Sequence, residues 1–148
     1  MKLLVINGPN INLLGLREPA LYGKGSYEDL VSFIEEAAKE VGVEVICFQS
    51  NHEGAIVDAI QQSYGVFDGI VINPAAYTHT SVAILDALKA VGLPAVEVHL
   101  TDPKKRENFR HVSFAGLACL ATFAGLGFEG YRCAIRFLAK RGDQTESE

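Results

Sequence analysis

The sequence predicts an α/β fold in which a parallel β-sheet is covered by helices on both faces. Residues 3–6, 69–72 and 95–98 are short, mainly apolar runs, which is typical of strands buried on both sides. Between such runs, apolar residues recur at the three- and four-residue spacing of a helix. Five alternations of this kind indicate β-α units and therefore a parallel sheet.

The first unit begins with a strand over residues 3–6, which stops at the turn formers of residues 7–10. A long connection containing glycines follows over residues 15–25. Ser26 is predicted to cap the next helix, with Asp29 three residues further on. The expected buried face of that helix comprises Leu30, Ile34, Ala37, Ala38 and Val41.

The middle of the chain repeats this pattern. Residues 43–48 form the second predicted strand, residues 54–64 the second helix and residues 69–72 the third strand. Either Thr80 or Ser81 is expected to cap a third helix that ends near Gly92. Its apolar positions are Val82, Leu85 and Leu88.

The last third begins with the fourth strand, residues 95–98, and a charged segment over residues 102–110. Residues 118–124 are predicted to form the fifth strand and residues 130–139 the last helix, with Ile135 and Leu138 facing inward. Residues 142–148 are polar and are expected to be a disordered tail. Residues 1–141 would then form a single catalytic domain.

These elements indicate a flavodoxin-like three-layer sandwich with a five-stranded parallel sheet of order 2-1-3-4-5 and helices on both faces. In such a sheet, ligands bind beyond the carboxyl ends of the strands, where the strand order reverses. That place lies between strands 1 and 3, beside strand 4. We therefore expect the functional site there.

Composition narrows the class of protein. The chain has 148 residues, 49% of them hydrophobic, which suits one domain with a packed core. Its net charge of −5 argues against a general nucleic-acid binder. Three cysteines without C-x-x-C spacing fit a reducing compartment. No apolar stretch approaches the roughly 18–20 residues that cross a membrane, so we expect a soluble, cytoplasmic protein.

Polar side chains gather at the predicted ligand-binding edge. Strand 4 ends in His99 and Thr101. The loop after strand 1 carries Asn10, Asn12, Arg17 and Tyr22. The loop after strand 3 carries Asn73, Tyr77, Thr78 and His79. Each residue alone suits an ordinary turn, but their clustering predicts a site for a small molecule.

Other kinds of functional site are less well supported by the sequence. Residues 125–130 match G-x-G-x-x-G, but no further strand follows them as a dinucleotide fold requires. The four histidines show no metal-ligand spacing, so a metal site assembled from separate loops is less favoured. No serine or cysteine lies in a nucleophile elbow. Acid–base chemistry by tyrosine and histidine is favoured, and a binding module for a flavin or another phosphorylated ligand is the alternative.

Five blocks of the sequence, in order, resemble the type II 3-dehydroquinate dehydratases. They are NGPNINLLGLREPALYG at 7–23, QSNHEG at 49–54, NPAAYTHTS at 73–81, EVHLT at 97–101 and GLGFEGY at 125–131. The resemblance implies a cofactor-free dehydration of 3-dehydroquinate to 3-dehydroshikimate in the shikimate pathway. It also implies a homododecamer, a tetramer of trimers. The net negative charge and the lack of a membrane-length apolar run predict that the protein interacts with neither nucleic acid nor membrane.

The resemblance also implies roles for individual residues. Tyr22 would be the base that removes the proton beside the ketone, and His99 the acid that protonates the departing hydroxyl. Arg17 would favour the ionised tyrosine, and Asn10 would hold a water against the enolate. The substrate would be bound by Asn73, His79 and Arg110, by Asp86 of a neighbouring subunit, and by the backbone N–H groups of Leu100 and Thr101.

Physical chemistry is consistent with these roles. An isolated tyrosine has a pKa of about 10, and a close guanidinium lowers such a pKa by about one to three units. Glu97 lies on the same strand face as His99, but sequence leaves open whether the two side chains touch. Three positions depart from the family pattern: Ala75 replaces a glycine, Thr101 a serine, and Asp102-Pro103 an asparagine and an apolar residue.

Overall fold

A computed structural model describes residues 1–16 and 25–146 of the chain. Its sheet has five parallel strands in the order β2-β1-β3-β4-β5, as predicted. The strands are β1 (Lys2–Asn7), β2 (Glu44–Gln49), β3 (Gly69–Asn73), β4 (Ala95–His99) and β5 (Ala121–Ala124). The α-helices are α1 (Tyr27–Glu40), α2 (Glu53–Ser63), α3 (Val82–Val91) and α4 (Glu129–Glu146).

Helices cover both faces of the sheet, because alternate strand residues enter two separate cores. Leu3 and Val5 pack in a cluster with residues of α1 and α4. Leu4 and Ile6 pack in a second cluster with residues of α2 and α3. The predicted three-layer sandwich is confirmed.

The predicted helix caps are also confirmed. Ser26 and Asp29 form a capping box, in which each side chain accepts a hydrogen bond from the other residue's backbone N–H. Ser81, not Thr80, caps α3 by accepting from the Ile84 N–H, and Gly92 ends that helix with a φ of 65°. Val41 lies just beyond the end of α1 and is exposed, so its predicted place on the buried face was wrong.

The end of the chain differs from the expectation. Helix α4 continues through residues 142–146, which were expected to be a disordered tail. Gly142 does not stop the helix, since one helical glycine costs only about 1 kcal/mol relative to alanine. The Thr145 hydroxyl donates to the Gly142 carbonyl, and Gly142 lies against Met1. Polarity alone therefore gave the wrong prediction for these residues.

The outer strands also differ from the prediction. Residues 115–118 form a 3₁₀ turn, so β5 begins at Ala121 and not at Ala118. Pairing explains this boundary, because Val96, the second residue of β4, is opposite Ala121. Strand β2 lies at the other edge and is partly exposed, with Ile46 on its surface, whereas the sequence predicted strands buried on both faces. None of the helices in the described ranges is long and apolar enough to cross a bilayer.

Candidate active site

A cleft lies at the carboxyl ends of β1, β3 and β4, where the strand order reverses. The structure brings together seven of the ten predicted site residues in its lining: Asn10, Asn73, His79, His99, Leu100, Thr101 and Arg110. Ile11, Leu13 and Leu14 of the loop after β1 supply an apolar wall. The cleft therefore combines a hydrophobic wall with convergent polar groups, which is typical of sites for small molecules.

Three further residues were predicted for the site. Arg17 and Tyr22 lie outside the described residues. Asp86 lies on α3, is exposed, and does not contribute to the part of the cleft formed by residues 1–16 and 25–146. The role expected for Asp86, in a neighbouring subunit's site, stays a prediction.

The loop that carries Asn10 is held by the end of β2. Asn10 adopts a left-handed conformation with a φ of 70°, which asparagine tolerates better than most residues. Its backbone N–H donates to the Asn51 side-chain oxygen at 3.0 Å. The Gln49 side-chain amide donates to the Gly8 carbonyl at 3.1 Å. These contacts position the first turn beyond β1 before any ligand arrives.

Asn73 ends β3 and is almost completely buried. Its Nδ2 donates to the Tyr131 hydroxyl at 2.9 Å, and that hydroxyl donates to Asn7 Oδ1 at 2.6 Å. Its Oδ1 accepts from the Ala75 backbone N–H at 3.1 Å. These bonds fix the amide orientation and leave Asn73 one N–H and one oxygen lone pair for a ligand.

His79 is arranged as a neutral hydrogen-bonding group. Its Nδ1 lies 2.7 Å from the Val112 carbonyl, which can only accept, so Nδ1 carries the proton. Burial holds the pKa of His79 below its ordinary value, and the nearby charges of His99 and Arg110 lower it further. Its Nε2 is therefore available to accept a hydrogen bond from a hydroxyl group of a ligand.

His99 has a carboxylate beside it. Its Nε2 lies 3.2 Å from Glu97 Oε1, an ion-pair distance, although the N–H is not aligned well enough for a hydrogen bond. Burial tends to raise the pKa of Glu97, but contacts with His99, Ser113 and Thr78 hold it below its ordinary value. The carboxylate thus stays ionised, and Nδ1 is the ring nitrogen not committed to Glu97.

The charged segment after β4 forms one side of the cleft. Arg110 ends a 3₁₀ turn, pairs with Glu107 at 2.7 Å and lies over the Phe109 ring. Arg106 also lines the cleft, although it was not among the residues predicted from the sequence. The sequence signal for Arg106 was its position four residues before Arg110 in a segment rich in basic residues. That signal was insufficient, because the segment forms short 3₁₀ turns whose side-chain directions the sequence does not predict.

Asp102 and Pro103 have separate structural roles. Asp102 Oδ1 accepts from the Lys104 backbone N–H at 3.0 Å and so caps the 3₁₀ turn Pro103–Lys105. Pro103 lines the cleft, whereas Asp102 is not part of the lining formed by the described residues. The carboxylate that departs from the family pattern is therefore occupied in holding a turn.

Ala75 has an unfavourable backbone conformation. Its φ is 53°, in the left-handed region where a Cβ atom costs about 1–2 kcal/mol. Its methyl group lines the cleft and packs against the core cluster of α1 and α4. The departure from glycine at this position thus places both strain and added volume at the edge of the site.

Ala75→Gly is expected to raise the free energy of unfolding by about 1 kcal/mol, since the strain relieved exceeds the entropy that glycine adds to the unfolded chain. Chemical denaturation measures the change. Ala76→Gly, at the exposed neighbouring position without positive φ, is the matched control and is expected to destabilise. Equal losses for both variants would contradict the strain at Ala75.

The fold and the cleft define a class of protein: a flavodoxin-like α/β enzyme whose histidine, asparagine and arginine side chains converge on a cleft suited to a small polar ligand. Within the described residues, no three His, Cys, Asp or Glu side chains form a group that could hold a metal ion. A neutral histidine and a carboxylate-paired histidine in one cleft suit hydrogen bonding and proton transfer, respectively.

Comparisons with known proteins give the family. The profile described as Dehydroquinase class II matches residues 1–139. The 3-dehydroquinate dehydratase of Clostridium acetobutylicum is 51% identical over 138 residues, covering 93% of this chain and 96% of the relative. That of Lachnoclostridium phytofermentans is 54% identical over 136 residues, covering 91% and 94%.

Solved structures agree with the sequence comparisons. The type II dehydroquinase of Butyrivibrio crossotus has a TM-score of 0.91 and 52% identity, covering 93% of this chain and 97% of its own. That of Propionibacterium acnes has a TM-score of 0.90 and 40% identity, covering 94% and 96%. The chain belongs to the class II dehydroquinase family and is an enzyme of the type II 3-dehydroquinate dehydratase class.

Proposed function

We propose that the protein converts 3-dehydroquinate to 3-dehydroshikimate in the shikimate pathway, by acid–base catalysis without a covalent imine. The observation that carries this proposal is the pairing of His99 with Glu97 at 3.2 Å in the cleft that Asn73, His79 and Arg110 also line. A histidine beside an ionised carboxylate is suited to donating a proton to a departing hydroxyl.

The reaction begins with removal of the proton beside the ketone by Tyr22, with Arg17 stabilising the tyrosinate. This proton removal produces the enolate, and a water held by Asn10 donates a hydrogen bond to the enolate oxygen. His99 then protonates the hydroxyl, which leaves as water and gives the conjugated enone. His79, Asn73 and Arg110 bind the substrate's hydroxyls, and the backbone N–H groups of Leu100 and Thr101 bind its carboxylate.

The purified protein with 3-dehydroquinate and excess chelator is expected to generate the ultraviolet absorbance of the conjugated enone. Activity with chelator present would also support chemistry independent of an exchangeable metal ion. Borohydride added with the substrate is expected to leave the enzyme active, because no lysine imine forms. No absorbance change at stoichiometric enzyme would contradict the dehydratase proposal, and inactivation by borohydride would contradict the acid–base mechanism.

Assembly as a homododecamer, a tetramer of trimers, is proposed on the same resemblance, with Asp86 of one subunit reaching the cleft of the next. The exposure of Asp86 on α3 supports this role. A mass in solution far below that of twelve chains, measured by light scattering, would contradict it.

A further inference from the structure

The carboxylate of Glu97 lies in a nest of hydroxyl groups behind His99. Its Oε2 accepts from the hydroxyls of Ser113 and Thr78, the latter at 3.1 Å. Its Oε1 accepts from the Thr122 hydroxyl at 3.3 Å and faces His99 Nε2. We propose that Thr78 and Ser113 are positioning residues, which hold Glu97 so that it orients the imidazole of His99. This inference rests on the proposed role of His99 as the acid.

Proton accounting supports a fixed direction for these hydrogen bonds. A buried carboxylate can only accept, so Thr78 and Ser113 each direct their single hydroxyl proton to it. The Ser113 oxygen in turn accepts from the Gly116 backbone N–H at 3.0 Å. The oxygens of Thr78 and Ser113 lie 2.9 Å apart, which brings both donors to one carboxylate oxygen. Glu97 therefore has little freedom to rotate away from His99.

The backbone packs closely against one side of the Glu97 carboxylate. A Cβ atom placed on Gly116 would lie 3.3 Å from Glu97 Oε2 and 3.1 Å from the Ser113 oxygen. Such distances are tighter than most contacts of real Cβ atoms. Gly116 thus allows the chain to approach Glu97 directly, and the 3₁₀ turn that contains it closes one side of the nest.

The two hydroxyls also connect the acid to the substrate-binding loops. Thr78 precedes His79, and Ser113 follows the segment that carries Arg110. Two hydrogen bonds clamp these segments together: the Phe114 N–H donates to the Thr78 carbonyl at 2.8 Å, and His79 Nδ1 donates to the Val112 carbonyl at 2.7 Å. The elements that bind the substrate therefore also determine where Glu97 and His99 point.

The charge on Glu97 is the property that these donors maintain. The hydroxyls oppose the effect of burial on the pKa of this carboxyl, so their removal shifts its protonation to higher pH. Among the described residues, the titratable groups near the pair include His79, Arg110 and Cys119. Because the pKa of Cys119 is raised to about 12, it stays neutral through the range of the assay.

Two substitutions at one position separate positioning from packing. Thr78→Val keeps the shape of the side chain and loses the hydroxyl, whereas Thr78→Ser keeps the hydroxyl and loses a methyl group. We expect Thr78→Val and Ser113→Ala each to lower kcat roughly tenfold, a part of the 10²- to 10⁴-fold effect of a general acid. The acid limb of the kcat profile should move to higher pH, with KM changed less than twofold. Thr78→Ser should stay within about twofold of the unaltered protein.

Ser63→Ala is the matched control, since it removes a buried hydroxyl whose partner is the Ile60 carbonyl in α2. It is expected to cost stability without moving the pH profile. The same kcat loss in Ser63→Ala, or a larger loss in Thr78→Ser than in Thr78→Val, would overturn the positioning role. An unchanged pH profile in both Thr78→Val and Ser113→Ala would overturn it as well.

A measurement without turnover tests the same inference. Nitrogen-15 NMR of the histidine rings at neutral pH is expected to show His99 protonated at Nε2, with a ring spectrum that changes in Thr78→Val and not in Ser63→Ala. Identical His99 spectra in the two variants would contradict the proposal. Failure of the unaltered protein to dehydrate 3-dehydroquinate would instead contradict the proposed function, so the two failures are distinguishable.

Discussion

Tyr22→Phe is expected to lower kcat by about 10²- to 10⁴-fold or more, because phenylalanine cannot accept the proton beside the ketone. Substrate should still bind, since the expected contacts to its hydroxyls and carboxylate come from other residues. Steady-state rates of enone formation and calorimetric titration with substrate measure the two effects separately. The expectation derives from the resemblance of residues 7–23, because Tyr22 lies outside the described residues.

Tyr64→Phe is the matched control for this experiment. Tyr64 follows α2 and is 70% exposed, so loss of its hydroxyl should leave turnover unchanged. Near-normal turnover by Tyr22→Phe would remove Tyr22 from the role of base. Loss of both substrate binding and turnover would instead show that Tyr22 also maintains the structure of the binding site.

Gly8→Ala is expected to destabilise the protein by about 3 kcal/mol, at the upper end of overpacking effects, and to impair catalysis. A Cβ at this position would lie 2.4 Å from the Pro74 carbonyl oxygen and 2.7 Å from its carbon. Both are backbone atoms, so β1 and β3 must separate at their carboxyl ends. The Gly8 N–H also donates to the Asn73 carbonyl at 2.8 Å, a bond that this separation would weaken.

Denaturant unfolding and kcat/KM measure the two consequences of Gly8→Ala. Gly54→Ala is the control, because a Cβ there meets nothing within 4 Å and alanine suits helix α2 better than glycine. We expect that control to be neutral or slightly stabilising. Unchanged stability of Gly8→Ala would contradict this prediction, because it would show that the carboxyl ends of β1 and β3 can separate without a loss of free energy of unfolding.

Much of the fold was predictable because the signals are local. The apolar runs gave the strands, and Ser26 with Asp29 gave the start of α1. The predicted boundaries were wrong where a tertiary contact set the start of an element, or where a helix continued through a glycine. The first residue of β5 depends on its pairing with β4, and α4 passes through Gly142 although the segment looks like a polar tail. Neither feature has a signal within a short window of sequence.

The candidate site shows the same division. Strand topology predicted that Asn10, Asn73, His79 and His99 would meet, and the family resemblance added Arg110. The described cleft contains all five. Their orientation was not predictable. The hydrogen bond from His79 Nδ1 to the Val112 carbonyl leaves Nε2 as the free ring nitrogen. The Asp102 carboxylate caps a 3₁₀ turn and is not part of the described cleft lining. The sequence left the contact between Glu97 and His99 open.

The sequence by itself determined which segments are strands, most helix starts and the residue types available at the carboxyl edge of the sheet. These depend on periodicity, capping and turn chemistry, which act over a few residues. Only the tertiary structure decided the left-handed φ of Ala75, the inclusion of Arg106 and the hydroxyl nest around Glu97. Those features join segments far apart in the chain, and their geometry is set by packing and by the hydrogen bonds that buried polar groups require.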